Sequence, residues 1–235
     1  MKRLKKKRIL LNGLSSVASK IDHTLLKADA NTVDISKLCR EAIQYGFHSV
    51  CVNPSNIVLC RRLLRGSRVK ICAVIGFPLG ASMASVKAYE ADKAVKSGAD
   101  EIDMVANIGA LKSRDYGLVS REIKLVRKTI ANRSLKVIIE TGLLTRNEKI
   151  KACLIARQAG ADFIKTSTGF VSGATVSDVK LIRKTVGASM GIKASGGIKT
   201  AETFLKMLAA GATRIGTSSA APISRVLMRA NNEYQ

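Results

Sequence analysis

Three charged residues lie within apolar, β-branched segments of the sequence. Asp103 belongs to the segment EIDMV, Lys165 to FIKTS and Lys193 to GIKAS. A buried charge without a partner is costly, so side chains in such segments are either paired or reactive. Two neighbouring ammonium groups lower each other's pKa, and burial acts in the same direction. A lysine in this setting supplies an uncharged amine, which attacks a carbonyl carbon and forms a Schiff base.

A structural interpretation of the same residues stays open. Either lysine can pair with a carboxylate such as Asp103 or Glu140 and contribute only to packing. For one lysine alone, this interpretation is favoured. Two lysines together with an aspartate favour catalysis instead, with Asp103 as a general acid/base.

Glycine-rich segments late in the chain indicate phosphate binding. Backbone N–H groups exposed by glycine, and serine hydroxyls at the start of a helix, are suited to binding a phosphate. Turn formation and helix capping are the alternative interpretation for either segment alone. The candidate donors are Gly196, Gly197, Gly216, Ser218 and Ser219, joined by Thr168 and Gly169 of the TSTGF segment.

The elements that must position these residues alternate along the chain. Short β-branched segments predict strands, and segments with apolar residues three and four positions apart predict helices. The predicted strands are Ile21–Leu26, Ser49–Asn53, Lys70–Phe77, Glu101–Asn107, Lys136–Thr141, Phe163–Thr168, Gly191–Gly196 and Arg214–Ser218. The predicted helices include Ile35–Gln44, Ala84–Ser97, Tyr116–Ala131, Thr145–Ala159, Ser177–Thr185 and Ala201–Ala210.

Eight predicted strands, each followed by a helical or connecting segment, over 235 residues predict a closed (β/α)8 TIM barrel. An open doubly wound sheet usually has fewer strands, and its dinucleotide-binding members carry GxGxxG after the first strand, which this sequence lacks. Because no shift in composition divides the chain, we expect one barrel domain over 14–235 after a basic leader over 1–13. Reactive side chains of TIM barrels lie at the carboxyl ends of strands.

Six motifs occur in a distinctive order along the chain. They are IDHTLL at 21–26, CVNP at 51–54, EIDMV at 101–105, FIKTSTG at 163–169, IKASGGI at 192–198 and GTSS at 216–219. In this combination the chain, from about Ile21 to Ser219, resembles the class I, metal-independent 2-deoxyribose-5-phosphate aldolases.

The resemblance implies a role for each central residue. Lys165 matches the Schiff-base lysine of the family, Asp103 the proton-transferring acid/base, and Lys193 the second lysine that tunes the first. The implied reaction is reversible cleavage of 2-deoxy-D-ribose 5-phosphate into D-glyceraldehyde 3-phosphate and acetaldehyde, in deoxynucleoside catabolism. Neither a cofactor nor a metal ion is expected.

Other positions match the family less specifically. Asp22 and Thr24 resemble positions near the proton relay and the substrate hydroxyls, although a structural carboxylate is an equal interpretation of Asp22. Tyr234 resembles a C-terminal tyrosine that folds over the site in some relatives. Phe170 stands where some relatives carry a phosphate-binding lysine, so one contact to phosphate is weakened here.

Composition excludes several classes of protein. A hydrophobic content of 46% supports one well-buried core and excludes a disordered chain. Five widely spaced cysteines without a CxxC motif, and only two histidines, exclude a disulfide framework and a multi-histidine metal site. No apolar segment is long enough to cross a bilayer or to complete a secretory signal. We therefore expect a soluble cytoplasmic protein.

The net charge is +23, from 40 Lys and Arg against 17 Asp and Glu. Such a charge attracts phosphorylated ligands and nucleic acids. Aromatic residues are only 4% and the basic residues are spread along the whole chain, which favours solvated helix surfaces over a dedicated nucleic-acid site. The expected partner is a phosphorylated sugar, without a membrane or a specific nucleic acid, and a homodimer is left open.

Two other functions stay open on the sequence alone. A sugar-phosphate isomerase could use the same barrel and phosphate site, but it would need a Glu or His base at a strand end. A nucleic-acid-binding protein would bind DNA or RNA with a steep dependence on salt.

Overall fold

Eight parallel strands follow one another around a closed barrel in the computed structural model, which describes residues 17–232. The predicted TIM barrel is thereby confirmed. The strands are β1 Ile21–Leu25, β2 Ser49–Val52, β3 Lys70–Ile75, β4 Glu101–Val105, β5 Ser134–Ile138, β6 Phe163–Lys165, β7 Gly191–Ser195 and β8 Arg214–Thr217. Pairing of β1 with β8 closes the barrel. The leader over 1–13 and Tyr234 lie outside the described residues.

Helices connect the strands and cover the outside of the barrel. They are α1 Thr32–Tyr45, α2 Ile57–Leu63, α3 Ala84–Ser97, α4 Ile108–Lys112, α5 Tyr116–Thr129, α6 Arg146–Gln158, α7 Val176–Val186, α8 Ala201–Ala209 and α9 Ala220–Asn232. Short 3-10 turns lie at Pro54–Asn56 and Thr141–Leu143. Within the described part of the chain, no helix is long and apolar enough to cross a membrane.

Local sequence explains where several helices begin and end. Asn31 and Asp34 form a capping box at the start of α1, and Thr145 and Glu148 form one at the start of α6. At the end of α1 the chain turns through Gly46 with φ of 67°, a left-handed conformation that glycine adopts without a steric penalty.

All eight observed strands end one to three residues before their predicted ends, and the difference is largest for β5 and β6. β5 begins at Ser134, two residues before the predicted start. β6 ends at Lys165, whereas the prediction continued it to Thr168. The residues after Lys165 turn into a loop at the barrel mouth, where the backbone N–H of Thr168 donates to Glu140. A β-branched sequence alone does not reveal that this loop has a partner outside the sheet.

Alternation along the strands separates two environments. In β4, Ile102 and Met104 belong to the apolar layer between strands and helices, whereas Asp103 points into the barrel. All three side chains are fully buried. The barrel interior beside β4 is therefore polar, and charged side chains buried there must be paired.

A buried ion pair fastens two helices to the barrel. Lys87 of α3 donates to Glu122 of α5 at 2.8 Å and to the backbone carbonyl of Val105 at 2.9 Å. The second oxygen of Glu122 accepts from the backbone N–H of Asn107 at 2.7 Å. Both charged side chains are inaccessible to solvent, so each depends on the other for its partner.

We expect Lys87→Met to lower the free energy of unfolding by about 3 kcal/mol, because it leaves the Glu122 carboxylate buried without a cation. Lys96 lies on the same helix and forms an exposed pair with Asp92. Lys96→Met should therefore change the same quantity by less than about 1 kcal/mol. Urea unfolding followed by circular dichroism measures both, and equal effects would contradict the role of the buried pair.

Candidate active site

The carboxylate of Asp103 lies at the centre of the barrel interior. Its Oδ2 accepts from Lys165 Nζ at 2.8 Å and from Lys193 Nζ at 2.7 Å, and its Oδ1 accepts from Lys136 Nζ at 2.8 Å. The strand register produces this arrangement, because Lys165 pairs with Lys193 across β6 and β7 and Asp103 pairs with Lys136 across β4 and β5. The three residues singled out in the sequence are thus in direct contact.

Burial and charge act in opposite directions on these groups. Burial alone would raise the pKa of Asp103, but Lys136, Lys165 and Lys193 hold it well below its ordinary range. Burial alone would lower the pKa of Lys193, but the carboxylates of Asp103 and Asp22 raise it well above that of an ordinary lysine. The expectation that the two lysines lower each other's pKa is therefore wrong for Lys193, because two carboxylates outweigh one neighbouring ammonium.

Six charged side chains form a ring of alternating sign inside the barrel, which we call the charge ring. Lys136 joins Asp103 to Glu101 with a distance of 2.6 Å to the latter. Arg214 continues the ring, because it lies between Glu101 and Asp22. The ring runs through Asp22, Lys193, Asp103, Lys136, Glu101 and Arg214.

Three members of the charge ring were not among the candidate residues. Burial raises the pKa of Glu101, whereas its contacts with His48 and Lys136 lower it. The net result is a fall of this pKa to about 2. Lys136 is fully buried, and Arg214 is nearly so. The signal was present in the sequence, since Lys136 interrupts the apolar segment SLKVI and Glu101 stands two positions before Asp103 on the same strand.

Asp22 belongs to the charge ring and not to the pocket surface. Its carboxylate lies 2.6 Å from Lys193 Nζ, 2.9 Å from Arg214 and 2.7 Å from the hydroxyl of Ser49. Burial would raise the pKa of Asp22, but Lys193 and Arg214 lower it far below its ordinary value. Thr24, the neighbouring candidate, lines the pocket, and its hydroxyl donates to the backbone carbonyl of Asp22.

A pocket of about 480 Å³ opens at the carboxyl ends of the strands, and Lys165 lies in its wall. Thr24, Thr168, Gly169, Gly196, Gly197, Gly216 and Ser218 also line it. Asp103 and Lys193 contact Lys165 from below the pocket surface. Ser219 does not line the pocket, and its backbone N–H donates to Thr217 Oγ1 at 2.9 Å.

Cations and glycines meet at the outer part of this pocket. Lys27 and Lys199 are exposed residues of its lining that sequence reasoning did not single out. Gly196 has φ of 92°, and a Cβ atom there would lie 2.8 Å from the backbone oxygen of Ser172. Only glycine fits this position, and because glycine has no side chain, the backbone of Gly196 itself lines the pocket.

Glu140 holds the loop that follows Lys165. It adopts a left-handed backbone conformation with φ of 48°, and it is nearly inaccessible to solvent. Its carboxylate accepts from the backbone N–H of Thr168 at 3.1 Å, from the hydroxyl of the same residue, and from the Ser172 hydroxyl at 3.2 Å. Of the two lysine partners considered from the sequence, Asp103 is observed, and Glu140 binds the loop instead.

Both histidines are held by carboxylates away from Lys165. His23 Nε2 lies 2.8 Å from Glu41, and His48 Nε2 lies 2.7 Å from Glu101. The only strand-end Glu among the candidate residues, Glu140, is already occupied by hydrogen bonds from its loop. None of His23, His48 and Glu140 therefore presents to the pocket the base that a sugar-phosphate isomerisation would need.

Cys51, Cys72 and Asp103 have potential metal-ligating atoms within 4.8 Å of one another. The Asp103 oxygens already bind lysine ammonium groups, and Lys136 Nζ lies 3.4 Å from the Cys72 sulfur. Ammonium groups in these positions repel a metal cation. The absence of a metal cofactor stays a prediction.

A family model described as DeoC/LacD family aldolase matches residues 16–221 of the sequence. The chain belongs to this family. It is an aldolase, a carbon–carbon lyase. A Clostridium perfringens protein named deoxyribose-phosphate aldolase is 54% identical over 209 residues, which cover 88% of this chain and 93% of the relative. A Thermococcus gammatolerans protein of the same name is 58% identical over 208 residues, which cover 86% of this chain and 92% of the relative.

Solved structures agree with the family assignment. The aldolase QR15 is 40% identical with a TM-score of 0.89, and the match covers 93% of this aldolase and 99% of that chain. The deoxyribose phosphate aldolase from Aeropyrum pernix, which is described as a tetramer, is 35% identical with a TM-score of 0.86 and coverage of 96% of both chains.

The charge ring predicts a pH-dependent contribution to stability. Glu101→Gln should lower the free energy of unfolding at pH 7 by about 3 kcal/mol, because Lys136 loses a buried partner. The pKa of Glu101 falls from an ordinary 4.5 to about 2 on folding, so its contribution is complete above pH 4.5 and is lost as the pH falls towards 2. The difference between the two proteins should shrink over that interval.

Urea unfolding of both proteins at a series of pH values measures this difference. A gap between wild type and Glu101→Gln that stays constant from pH 7 to pH 3 would contradict the assigned ion pairs.

Proposed function

We propose that this aldolase cleaves 2-deoxy-D-ribose 5-phosphate reversibly into D-glyceraldehyde 3-phosphate and acetaldehyde, through a Schiff base on Lys165. The observation that carries the proposal is the position of the Lys165 amine, in the wall of the pocket and 2.8 Å from the Asp103 carboxylate. The relatives at 54% and 58% identity, both named deoxyribose-phosphate aldolase, support the substrate. The reaction belongs to deoxynucleoside catabolism.

The charge ring supports Lys165 as the lysine that reacts. The ring contains three carboxylates and three cations, so its charges balance without Lys165. Lys136 and Lys193 each contact two carboxylates, whereas Lys165 forms an ion pair with one carboxylate of the described residues, that of Asp103. When the Lys165 nitrogen is taken up in a Schiff base, every carboxylate of the ring keeps at least two cation partners, so the ring stays balanced while this lysine reacts.

The uncharged Lys165 amine adds to the C1 aldehyde of the open-chain sugar, and loss of water gives a protonated imine. This cation accepts the electrons of the C2–C3 bond when the C3 hydroxyl loses its proton. The bond then breaks, glyceraldehyde 3-phosphate leaves, and an enamine stays on Lys165. Protonation of the enamine carbon and hydrolysis release acetaldehyde and restore the amine.

Asp103 is the proposed acid/base of these proton transfers, either directly or through a water molecule. Its lysine neighbours hold the pKa of Asp103 well below the ordinary range, so it is ionised and able to accept a hydrogen bond from a hydroxyl. Lys193, which shares the same oxygen, completes the path.

The outer pocket is the proposed binding site for the 5-phosphate. Backbone N–H groups near Gly196 and Gly197, the hydroxyl of Ser218, and the cations of Lys27 and Lys199 line it together. These cations compensate for Phe170, which stands where some relatives carry a lysine.

Borohydride reduction in the presence of acetaldehyde should trap the imine on Lys165. Trypsin then no longer cleaves after this lysine, and the adduct appears in a peptide over 158–180. Lys165→Leu should abolish both trapping and cleavage. Asp103→Asn should retain more of the trapping than of the cleavage, because imine formation depends less on the acid/base than bond cleavage does.

Mass spectrometry of the tryptic digest and an assay of glyceraldehyde 3-phosphate release provide the two readouts. An adduct on another lysine, or full activity of Lys165→Leu, would overturn the proposed mechanism.

Lys199→Ala should raise the KM for the phosphorylated sugar about three- to tenfold and leave kcat nearly unchanged, because an exposed cation that only binds phosphate acts on substrate and transition state alike. Lys206 is an exposed lysine of the outer helix α8, paired with Glu202. Lys206→Ala should therefore leave KM unchanged. Steady-state kinetics with both variants test the assignment, which fails if the two lysines have equal effects.

We infer a cytoplasmic enzyme whose partner is a phosphorylated sugar, without a specific nucleic acid, and a homodimer stays open. The Aeropyrum pernix relative is described as a tetramer, so gel filtration with light scattering decides the oligomeric state of this chain.

A further inference from the structure

Two thiols lie against the central carboxylate, and the proposed reaction uses neither of them. Cys51 of β2 and Cys72 of β3 are register partners on neighbouring strands, and both side chains are fully buried. The Cys72 sulfur lies 3.0 Å from Asp103 Oδ1, and the Cys51 sulfur lies 3.9 Å from Asp103 Oδ2. Their sulfur atoms lie within 4.8 Å of each other.

The backbone places this pair at a separation that a disulfide can span. Neighbouring strands lie about 4.8 Å apart, and disulfide-bonded cysteines have Cα atoms roughly 4.4–6.8 Å apart. Because register partners point to the same side of a sheet, both sulfurs face the barrel interior. Rotation of the two side chains is enough to bring the sulfurs into bonding distance.

The surroundings of Cys51 favour its reaction with an oxidant. Its sulfur lies 3.8 Å from Lys193 Nζ, and it shares Asp103 Oδ2 with Lys165, which lines the pocket. The neighbouring Cys72 thiol and the ammonium groups of Lys193 and Lys165 lower the pKa of Cys51, and burial raises it, with a net fall to about 7. Thiolates and not thiols are the nucleophiles in cysteine oxidation.

We propose that Cys51 and Cys72 form a reversible disulfide when a hydroperoxide enters the pocket, and that this bond switches the aldolase off. The inference rests on the proposed function for the activity that is lost. With hydrogen peroxide as the oxidant, the Cys51 thiolate attacks a peroxide oxygen, the O–O bond breaks, and a sulfenic acid and hydroxide form. The hydroxide takes up the proton that the Cys51 thiol released on ionisation and leaves as water. Cys72 then attacks that sulfur, its thiol proton leaves with the hydroxyl as a second water molecule, and both cysteines are oxidised by one peroxide.

Loss of activity follows from the contacts that the thiols make. The Cys72 thiol donates to Asp103, and a disulfide sulfur has no proton to donate. Drawing the two sulfurs together also moves them relative to Lys136 and Lys193, which lie 3.4 and 3.8 Å from them. Because these lysines and Asp103 belong to one packed network, the acid/base loses its position.

The chain contains a matched control pair. Cys39 of α1 and Cys60 of α2 are also buried, but they lie on outer helices and do not contact Asp103. The same oxidant therefore meets two thiol pairs in one molecule, and only one of them contacts Asp103.

The test treats the reduced full-length protein with hydrogen peroxide and maps its tryptic peptides without reduction. The peptide over 41–61 contains both Cys51 and Cys60, and we expect fragment ions to show it linked through Cys51 to the peptide over 71–87. Cleavage activity should fall at least about tenfold. Dithiothreitol should restore the activity. Cys72→Ser keeps a hydroxyl donor for Asp103 but cannot form the bond, so it should resist peroxide, whereas Cys39→Ala should stay as sensitive as the wild type.

The peptide map remains informative if a variant folds poorly, because it uses the unmodified protein. A link from 41–61 only to 38–40, which contains Cys39, or equal sensitivity of Cys72→Ser and wild type, would overturn the proposal. If the reduced protein does not cleave the sugar phosphate, the proposed function fails together with the switch of that activity, and the peptide map still decides whether the bond forms.

Discussion

The Oδ2 atom of Asp103 accepts hydrogen bonds from two lysine ammonium groups, and the chemistry of the barrel depends on this shared atom. Lys165 and Lys193 reach it because β6 and β7 run parallel with these residues in register. Such an arrangement is stable only where further charges balance it, since two cations and one carboxylate leave a net charge inside the barrel. The charge ring supplies that balance through Lys136, Glu101 and the other members that surround Asp103.

The buried lysines of the protein differ in the number and position of their carboxylate partners. Lys87 has one carboxylate partner outside the barrel and fastens two helices. Lys136 and Lys193 bridge pairs of carboxylates and are held as cations, with raised pKa values. Lys165 is attached to the ring at Asp103 and also reaches the pocket. Buried lysines of similar appearance in the sequence thus differ in their carboxylate partners, and this difference supports the proposal that Lys165 is the amine that reacts.

The loops at the barrel mouth are held by hydrogen bonds and close backbone contacts and not by the charge ring. Glu140 uses its carboxylate to hold the loop after β6, so the residues beyond Lys165 keep one position. Gly196 leaves no side chain between the backbone and Ser172, which allows two loops to approach each other closely. The proposed reactive amine and the proposed phosphate donors are therefore positioned by separate parts of the structure, the first by charge in the barrel interior and the second by backbone geometry at its mouth.

Much of this protein was determined by local properties of the sequence. Strand and helix periodicity predicted the barrel, and charges within apolar strands predicted that Asp103, Lys165 and Lys193 would meet. The partners of these charges were decided by the tertiary structure. Asp22 and Arg214 are 192 positions apart in the chain, and only closure of the barrel through β1 and β8 brings them together. Periodicity reports which face of a strand is buried, but ion pairs depend on the register between distant strands, so only the closed barrel decides which lysine keeps its proton.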